Sequence, residues 1–322
     1  MKPVVIALVG PTGSGKTKTA LSICRKLDAE IVSMDSMQVY RGMDIGTAKP
    51  TRMELAAVPH HMIDVVEPDE LFTVSMYREM AGKAIDDIIA RGKIPLLVGG
   101  TGLYLQALSY EMSLGENGAD SALRQELNRI AQEPDGPDKL HERLQAVDPA
   151  SAEKLHPHDI RRVIRALEIY ETSGRTKSEQ GNEQFKEGPY RVLVYGLSMP
   201  REQMYARINA RVDQMISDGL VDEVKTLLER GIEPRKEGGA MQAIGYKEVV
   251  SALRGEFGMG QAVSLIKQGS RRYAKRQWTW FRHDPRTVWF DWSEFGNEQA
   301  LMDALLERIY LDMQIETDRL KV

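Results

Sequence analysis

Residues Gly10-Pro11-Thr12-Gly13-Ser14-Gly15-Lys16-Thr17 keep the spacing G-x-x-x-x-G-K-[ST]. A loop of this kind grips polyphosphate. Its glycines let the backbone come close to phosphate oxygens, with successive N–H groups turned inward. Lys16 adds a point charge, and the Thr17 hydroxyl can hold Mg²⁺. The loop does not say which polyphosphate it holds. A P-loop nucleotidase also needs an aspartate at the end of a second strand to support Mg²⁺. Here the buried run Ile94–Val98 ends in Gly99-Gly100-Thr101-Gly102 instead. The acid that closes a buried run near the loop is Asp35, after Ile31-Val32-Ser33-Met34. A carboxylate there could cap a turn, support Mg²⁺ in a kinase, or accept a proton from a nucleophile, and the residue types alone leave all three open.

These groups need elements to hold them. Val4–Val9 reads as a buried strand before the loop, and Lys16–Leu27 as a helix opening on it, which puts the helix amino terminus at the phosphate. Glu30–Met34 and Ile94–Val98 read as further buried strands. Between them Thr73–Arg91 is helical, with Met76, Met80, Ala84 and Ile88 at four-residue intervals as an expected core face. Alternating strands and helices imply a parallel sheet covered on both faces. The expected fold is therefore α/β: a P-loop parallel-sheet core flanked by helices, with an inserted helical domain. The insertion spans 115–188, where prolines separate helical pieces at Ser121–Gln132, Lys139–Val147 and Asp159–Ser173. The core comprises 1–114 and 189–322. Tyr190–Leu197 is a returning strand, Pro200 starts a long helical region to about Arg282, Thr287–Trp292 is a last strand and Glu298–Met313 a last helix.

Composition narrows the class. The 322 residues are 42% hydrophobic and 28% charged, ordinary for a globular chain. A single cysteine, Cys24, excludes an intrachain disulfide and a multi-cysteine zinc site. The adjacent His60 and His61 lack the spacing of helical metal ligands, so a structural or RNA-facing loop is expected there. No apolar run nears the roughly 20 residues of a membrane span, no signal peptide is visible, and a cytoplasmic location is expected. The net charge of −4 gives no global attraction to nucleic acid, so an RNA surface requires local clustering.

Several blocks taken together carry a resemblance: the P-loop; Asp35-Ser36-Met37-Gln38-Val39-Tyr40 running into Gly42–Pro50; Val58–Asp64; Gly99–Tyr104; Ala243-Ile244-Gly245-Tyr246; and Lys275–Arg282. In this order the chain resembles the bacterial tRNA dimethylallyltransferases from residue 3 to about 284, with no family motif after Pro285. The resemblance implies transfer of the dimethylallyl group from dimethylallyl diphosphate to the exocyclic amine of adenosine 37 in tRNA, with Mg²⁺ assisting and diphosphate leaving. It implies Asp35 as general base, Thr101 as a contact to the target nucleotide, and Arg211 as an arginine against the diphosphate. It also implies tRNA contacts from Asp35, Ser36, Met37 and Gln38, from Arg124, and from Asp159, Ile160, Arg161, Arg162 and Val163.

RNA binding needs basic and aromatic groups. Arg161 and Arg165 lie four apart on one expected helix face. A second stretch carries basic residues at 271, 272, 275, 276, 282 and 286 against Asp284 alone, interleaved with Tyr273, Trp278 and Trp280. The expected partners are a tRNA anticodon stem-loop and dimethylallyl diphosphate, with no membrane, and a monomer is expected. Two other readings compete. A P-loop kinase would use ATP with Asp35 as base for a hydroxyl, and a non-catalytic RNA-binding module would carry the P-loop as a relic.

Overall fold

The protein is described by a computed structural model covering residues 2–112, 122–179, 186–234 and 239–319, with side chains of the last helix described to 313. It divides into two compact units, Met1–Ser109 with Tyr190–Val322, and Tyr110–Pro189. The expected border at 114/115 and the expected helix start at Ser121 lie outside the described residues.

The first unit is built on a six-stranded parallel sheet in the order β3-β2-β4-β1-β5-β6: β1 Val4–Val9, β2 Ala29–Met34, β3 His60–His61, β4 Ile94–Gly99, β5 Arg191–Ser198 and β6 Thr287–Asp291. Its central strand β1 is a continuous apolar run because both faces of the sheet are covered. Ile6 and Leu8 of β1 point into a core with Ala20, Ile23 and Cys24 of the Lys16–Leu27 helix and Leu301, Leu305 and Ile309 of the Glu298–Arg319 helix. Val5, Ala7 and Val9 point the other way, toward Tyr77, Ala81, Ile85 and Ile88 of the Val74–Ala90 helix. That stripe keeps Ile88 of the expected one and otherwise lies one position round from it. Met76, Met80 and Ala84 flank it half-buried, because Tyr77, whose hydroxyl donates to the Ser33 carbonyl at 3.0 Å and whose ring stacks on Tyr104, anchors the helix by its own face.

Register fixes where chemistry can occur. Val9 pairs with Gly99, and Met34 pairs with Gly99 on the other side. The carboxyl ends of β1, β4 and β2 are thus side by side, and the P-loop, the Gly100-Thr101 turn and Asp35 leave the sheet from neighbouring points. Open parallel sheets take their ligands at this edge. β3 pairs with β2 through Ile31–His60 and Val32–His61, so the two histidines form an edge strand rather than a loop. His61 Nε2 meets the buried Glu30 carboxylate at 2.9 Å, beside Arg91, which holds the same carboxylate with two nitrogens. The pair of histidines is structural.

The helical region from Pro200 to Arg282 contains, among the described residues, the α-helices Arg201–Ser217, Leu220–Glu229, Tyr246–Leu253 and Met259–Arg282. Gly219, at φ 102°, breaks the first from the second in a conformation that L side chains avoid. The second unit has its own core, in which Leu127, Leu140, Leu144, Val163, Ile164 and Leu167 from the helices Ala122–Ala131, Gly136–Val147 and Ile160–Ser173 pack together.

Candidate active site

The P-loop wraps the start of the Lys16–Leu27 helix, whose first turn carries no acidic residue and no side-chain cap, so its N–H groups face an anion site. Gly10 sits at φ 145°, and a Cβ there would lie 2.5 Å from the Leu197 carbonyl oxygen. Only glycine lets β1 pass β5 and turn. Ser14 is fully buried, yet its hydroxyl has no hydrogen-bond partner. A buried polar atom without a partner costs stability unless a ligand completes it. Lys16 Nζ folds back onto the Pro11 carbonyl at 2.9 Å. Thr17 is exposed at the first helical turn. Two of the expected loop donors are already used, since the Thr12 N–H donates to Gln277 Oε1 at 2.9 Å and the Ser14 N–H to the Pro11 carbonyl at 3.2 Å. From behind, Trp292 Nε1 donates to the Ser14 carbonyl at 2.8 Å, and its ring would lie 3.2 Å from any Cβ on Gly15.

Lys16 and Asp35 share one electrostatic environment. Burial first and the Arg211 charge second, opposed by Asp35, bring the Lys16 ammonium down to about 7. Burial raises the Asp35 carboxyl, against the pull of N–H groups from Met37 and Gln38 and the charge of Lys16. The Met37 N–H reaches Asp35 Oδ1 at 2.8 Å. A desolvated carboxylate with a raised pKa is a better base than a solvated one.

The segment after Asp35 braces itself. Gln38 Oε1 accepts from Ser33 at 3.1 Å, and its amide nitrogen donates to the carbonyls of Thr47 and Ala48 at 3.3 and 3.2 Å. Glu223 accepts the backbone N–H groups of Asp44, Ile45 and Gly46 and the Tyr246 hydroxyl. Lys49 ties the Tyr40 carbonyl to Asp44 and Asp64. Gln38 and Lys49 belong to the Asp35–Pro50 block itself; Glu223, which Tyr246 of the Ala243–Tyr246 motif holds, belongs to no motif.

Thr101 sits at the centre of a second set of contacts. Its N–H donates to the Met34 carbonyl at 3.1 Å, and its hydroxyl accepts the Ser36 N–H at 3.3 Å, so the turn after β4 is fastened to the turn after β2. The Met259–Arg282 helix runs over this turn. The Tyr273 hydroxyl is within hydrogen-bonding reach of Thr101 and Gln277, and burial and Asp35 push it up to about 12. Gln277, 5% exposed, donates from Nε2 to the Gly100 carbonyl at 3.1 Å. Its one amide therefore links the P-loop to the Thr101 turn. The glycines of this turn answer to packing: a Cβ on Gly99 would lie 2.3 Å from the Met34 carbonyl oxygen, on Gly100 1.9 Å from Gln277 Nε2, and on Gly102 2.0 Å from Trp280. No acid fits at the end of β4.

Arg211 lies on the Arg201–Ser217 helix and borders a cavity of about 650 Å³ walled by Ile45, Ala48, Lys49, Pro50, Leu55 and Met215. It joins this cavity to Lys16 by its field. Of the basic stretch, Arg271 bonds Asn209 at 2.6 Å, and Arg286 grips Asp284 with two nitrogens. Arg272, Lys275, Arg276 and Arg282 are exposed. Trp278 packs on Trp289, whereas Trp280 is 41% exposed.

In the second unit the expected RNA-facing set splits. Val163 is fully buried in that unit's core, so its side chain offers nothing to a partner, and Ile160 packs half-buried against the same core. Helical periodicity turns position 163 inward while 161 and 162 stay exposed. Arg124 and Arg165 both engage the buried Glu168, at 2.9 and 3.4 Å, and Arg162 meets Asp159 at 3.3 Å.

Sequence reasoning missed Glu223 and Trp292 as supports, and saw Gln277 and Tyr273 only as part of a basic block. No spacing rule marks a glutamine that bonds loops from two distant segments.

Comparison with known proteins places the chain. The family model described as IPP transferase matches residues 38–284, and that described as isopentenyl transferase matches residues 3–66. A tRNA dimethylallyltransferase of Oceanobacillus iheyensis is 45% identical over 313 residues, 97% of each chain. One from Geobacillus thermodenitrificans is 46% identical over 318 residues, 99% of this chain and 100% of the relative. The crystal structure of the full-length tRNA isopentenylpyrophosphate transferase of Bacillus halodurans superposes with a TM-score of 0.73 at 42% identity, covering 100% and 99% of the two chains. A eukaryotic dimethylallyltransferase, captured acting on tRNA, gives a TM-score of 0.77 at 32% identity over 90% of this chain and 74% of that one. A family model over more than half of its residues and relatives matched along nearly their whole length show that the chain belongs to the IPP transferase family.

Proposed function

We propose that this chain is a tRNA dimethylallyltransferase, transferring the dimethylallyl group of dimethylallyl diphosphate to the exocyclic amine of adenosine 37 in the anticodon stem-loop. The observation that carries the reading is the placement of Asp35, a desolvated carboxylate, within the field of Lys16 and one turn from Thr101.

Breaking the allylic C–O bond leaves negative charge on the diphosphate and positive charge on carbon. Lys16, Arg211 and the N–H groups at the start of the Lys16–Leu27 helix neutralise the former, and the Ser14 hydroxyl gains the partner it lacks. A phosphate oxygen also draws Lys16 off the Pro11 carbonyl and restores its proton. An adenine amine is a weak nucleophile, and Asp35 accepts its proton as the N–C bond forms. Thr101, held by Ser36 and Tyr273, positions the base. The residues fit Mg²⁺ as a ligand-assisted ion: Thr17 offers one hydroxyl, no group of three acidic, histidine or cysteine side chains gathers among the described residues, and diphosphate oxygens must complete the shell. Mg²⁺ would be held there by Thr17 and would neutralise charge on the leaving group. The kinase reading loses support because Gly99 leaves no room for the acid that a nucleotidase places there. Incubating undermodified tRNA with dimethylallyl diphosphate and Mg²⁺, followed by nucleoside mass analysis, should reveal a prenylated adenosine. An unchanged nucleoside profile, with nucleoside triphosphate consumed instead, would reverse the conclusion.

A further inference from the structure

The sheet order brings the residues after β6 back to the phosphate loop. β1 pairs with β5 and β5 with β6, in a register that sets Ser198 beside Asp291. The Asp291 carboxylate accepts the Ser198 hydroxyl at 2.6 Å and the Ser293 N–H at 2.9 Å, which fixes the backbone on both sides of Trp292. The indole then reaches the loop. Its Nε1 donates to the Ser14 carbonyl at 2.8 Å, and a Cβ on Gly15 would lie 3.2 Å from its Cζ2. The Ser14 carbonyl and the Gly15 N–H belong to one planar trans peptide, so they point in opposite directions. By drawing the carbonyl toward itself, Trp292 turns the Gly15 N–H away. A donor on the carbonyl also polarises the amide and strengthens its N–H. The Thr12 and Ser14 N–H groups already have protein acceptors, which leaves the Gly15 N–H and the unpartnered Ser14 hydroxyl for an anion. Trp292 is half-buried at the margin of two core clusters, so packing alone would let its N–H meet water. It also lies beyond residue 284, where the family models end.

We infer that Trp292 is a positioning residue for the leaving group: its indole N–H holds the Ser14–Gly15 peptide so that the Gly15 N–H meets the diphosphate. The inference rests on the reading above, in which this loop cradles the diphosphate of the prenyl donor. Trp292 touches no reacting atom and acts through the peptide, as a fixed dipole set before charge develops.

The test removes the indole N–H and keeps a ring. Wild type, W292F and a protein with benzothienylalanine at position 292, where sulfur replaces the N–H, are titrated calorimetrically with inorganic diphosphate and Mg²⁺. Each is also assayed for prenyl transfer with both substrates varied. Both altered proteins should bind diphosphate about 5-fold more weakly or worse, the usual worth of one hydrogen bond. KM for dimethylallyl diphosphate should rise alongside, while KM for tRNA stays within twofold of wild type. The benzothienyl ring still packs on Gly15 and still lies beneath the Arg207 guanidinium, so its urea midpoint should match wild type. A second readout is the indole N–H resonance of Trp292 in wild type with labelled tryptophan, assigned by its absence from W292F. Saturating diphosphate should move it downfield, because an anion on the Gly15 N–H makes the Ser14 carbonyl a stronger acceptor. Diphosphate affinity of the benzothienyl protein within twofold of wild type, or an indole resonance that diphosphate leaves unmoved, would overturn the inference. A wild type that binds diphosphate but transfers no prenyl group would instead defeat the functional reading, and these two measurements would still decide the peptide contact.

Discussion

Replacing Gln277 by leucine keeps the side-chain volume and deletes both hydrogen bonds of its amide. The Thr12 N–H then loses its acceptor, and the Gly100 carbonyl loses a buried donor. Leaving a buried backbone group unpaired costs about 1–3 kcal/mol. The Thr12 end is only partly buried and belongs low in that range, so the two together should cost about 2–4 kcal/mol. That is a large share of the roughly 5–15 kcal/mol that holds a folded protein. The effect should also be functional, because Gln277 joins the loop that grips diphosphate to the turn that carries Thr101. Urea unfolding followed by tryptophan fluorescence measures the first effect, and calorimetric titration with inorganic diphosphate and Mg²⁺ measures the second. We expect a clearly lower urea midpoint and at least about tenfold weaker diphosphate binding. The variant Q277E keeps the acceptor for Thr12 but sets a carboxylate against the Gly100 carbonyl, so it should fail at least as badly. A Q277L protein within about 0.5 kcal/mol of wild-type stability, with unchanged diphosphate affinity, would refute the view that one amide couples the two loops.

Further outcomes can be checked directly. Substituting Asp35 by asparagine should lower kcat by about 10²–10⁴-fold in single-turnover prenyl transfer, and a loss below tenfold would remove it from the role of base. Lys16 has its folded pKa lowered to about 7, so in the free protein it is mostly neutral above that pH and protonated below it. Bound diphosphate favours the charged form, so binding should take up a proton at pH 8 but not at pH 6. Calorimetry in buffers of different ionisation enthalpy reads this uptake, with K16Q as the reference that lacks it. Affinity for tRNA should fall linearly in log–log form with salt, and neutralising exposed Arg272 or Lys275 should reduce the slope by about 1 each if both meet phosphates. Removing Glu168, which the partly exposed Arg124 and Arg165 share in the second unit, should cost that unit about 1–3 kcal/mol, the range for lost hydrogen bonds to a charged group, read as an early thermal transition.

Much of this architecture is legible in the residues. Buried parallel strands announce themselves as unbroken apolar runs, and the phosphate loop by its glycines and lysine, because local chain geometry dictates both. Asp35 is legible for the same reason, as the acid closing such a run. The two-residue strand at His60–His61 is too short to carry a period, and only pairing with β2 creates it. The Val74–Ala90 helix shows a different limit. Its apolar residues fill more than half its circumference, so the sequence supports two neighbouring stripes, and the Tyr77–Tyr104 stack and the bond to the Ser33 carbonyl choose between them. The buried side chain of Val163 follows from the same geometry, since a contiguous helical segment assigned to a partner must still send every third or fourth side chain inward.

The glycine-rich turn Gly99-Gly100-Thr101-Gly102 shows how one composition can conceal two causes. In the P-loop, glycine serves an anion: Gly10 opens the turn that leads to an unpartnered Ser14 hydroxyl and bare helix N–H groups. After β4, glycine serves protein against protein, since the space a Cβ would need is taken by the Met34 carbonyl, the Gln277 amide and the Trp280 ring. That close approach brings the basic helix down onto Thr101, and with it Tyr273, whose hydroxyl lies between Thr101 and the Asp35 field. The absence of an acid at this strand end is therefore more than a missing metal ligand. The room a nucleotidase gives to its aspartate is here given to a helix whose exposed residues Arg272, Lys275, Arg276 and Arg282 carry positive charge, the sign that a nucleic acid backbone demands.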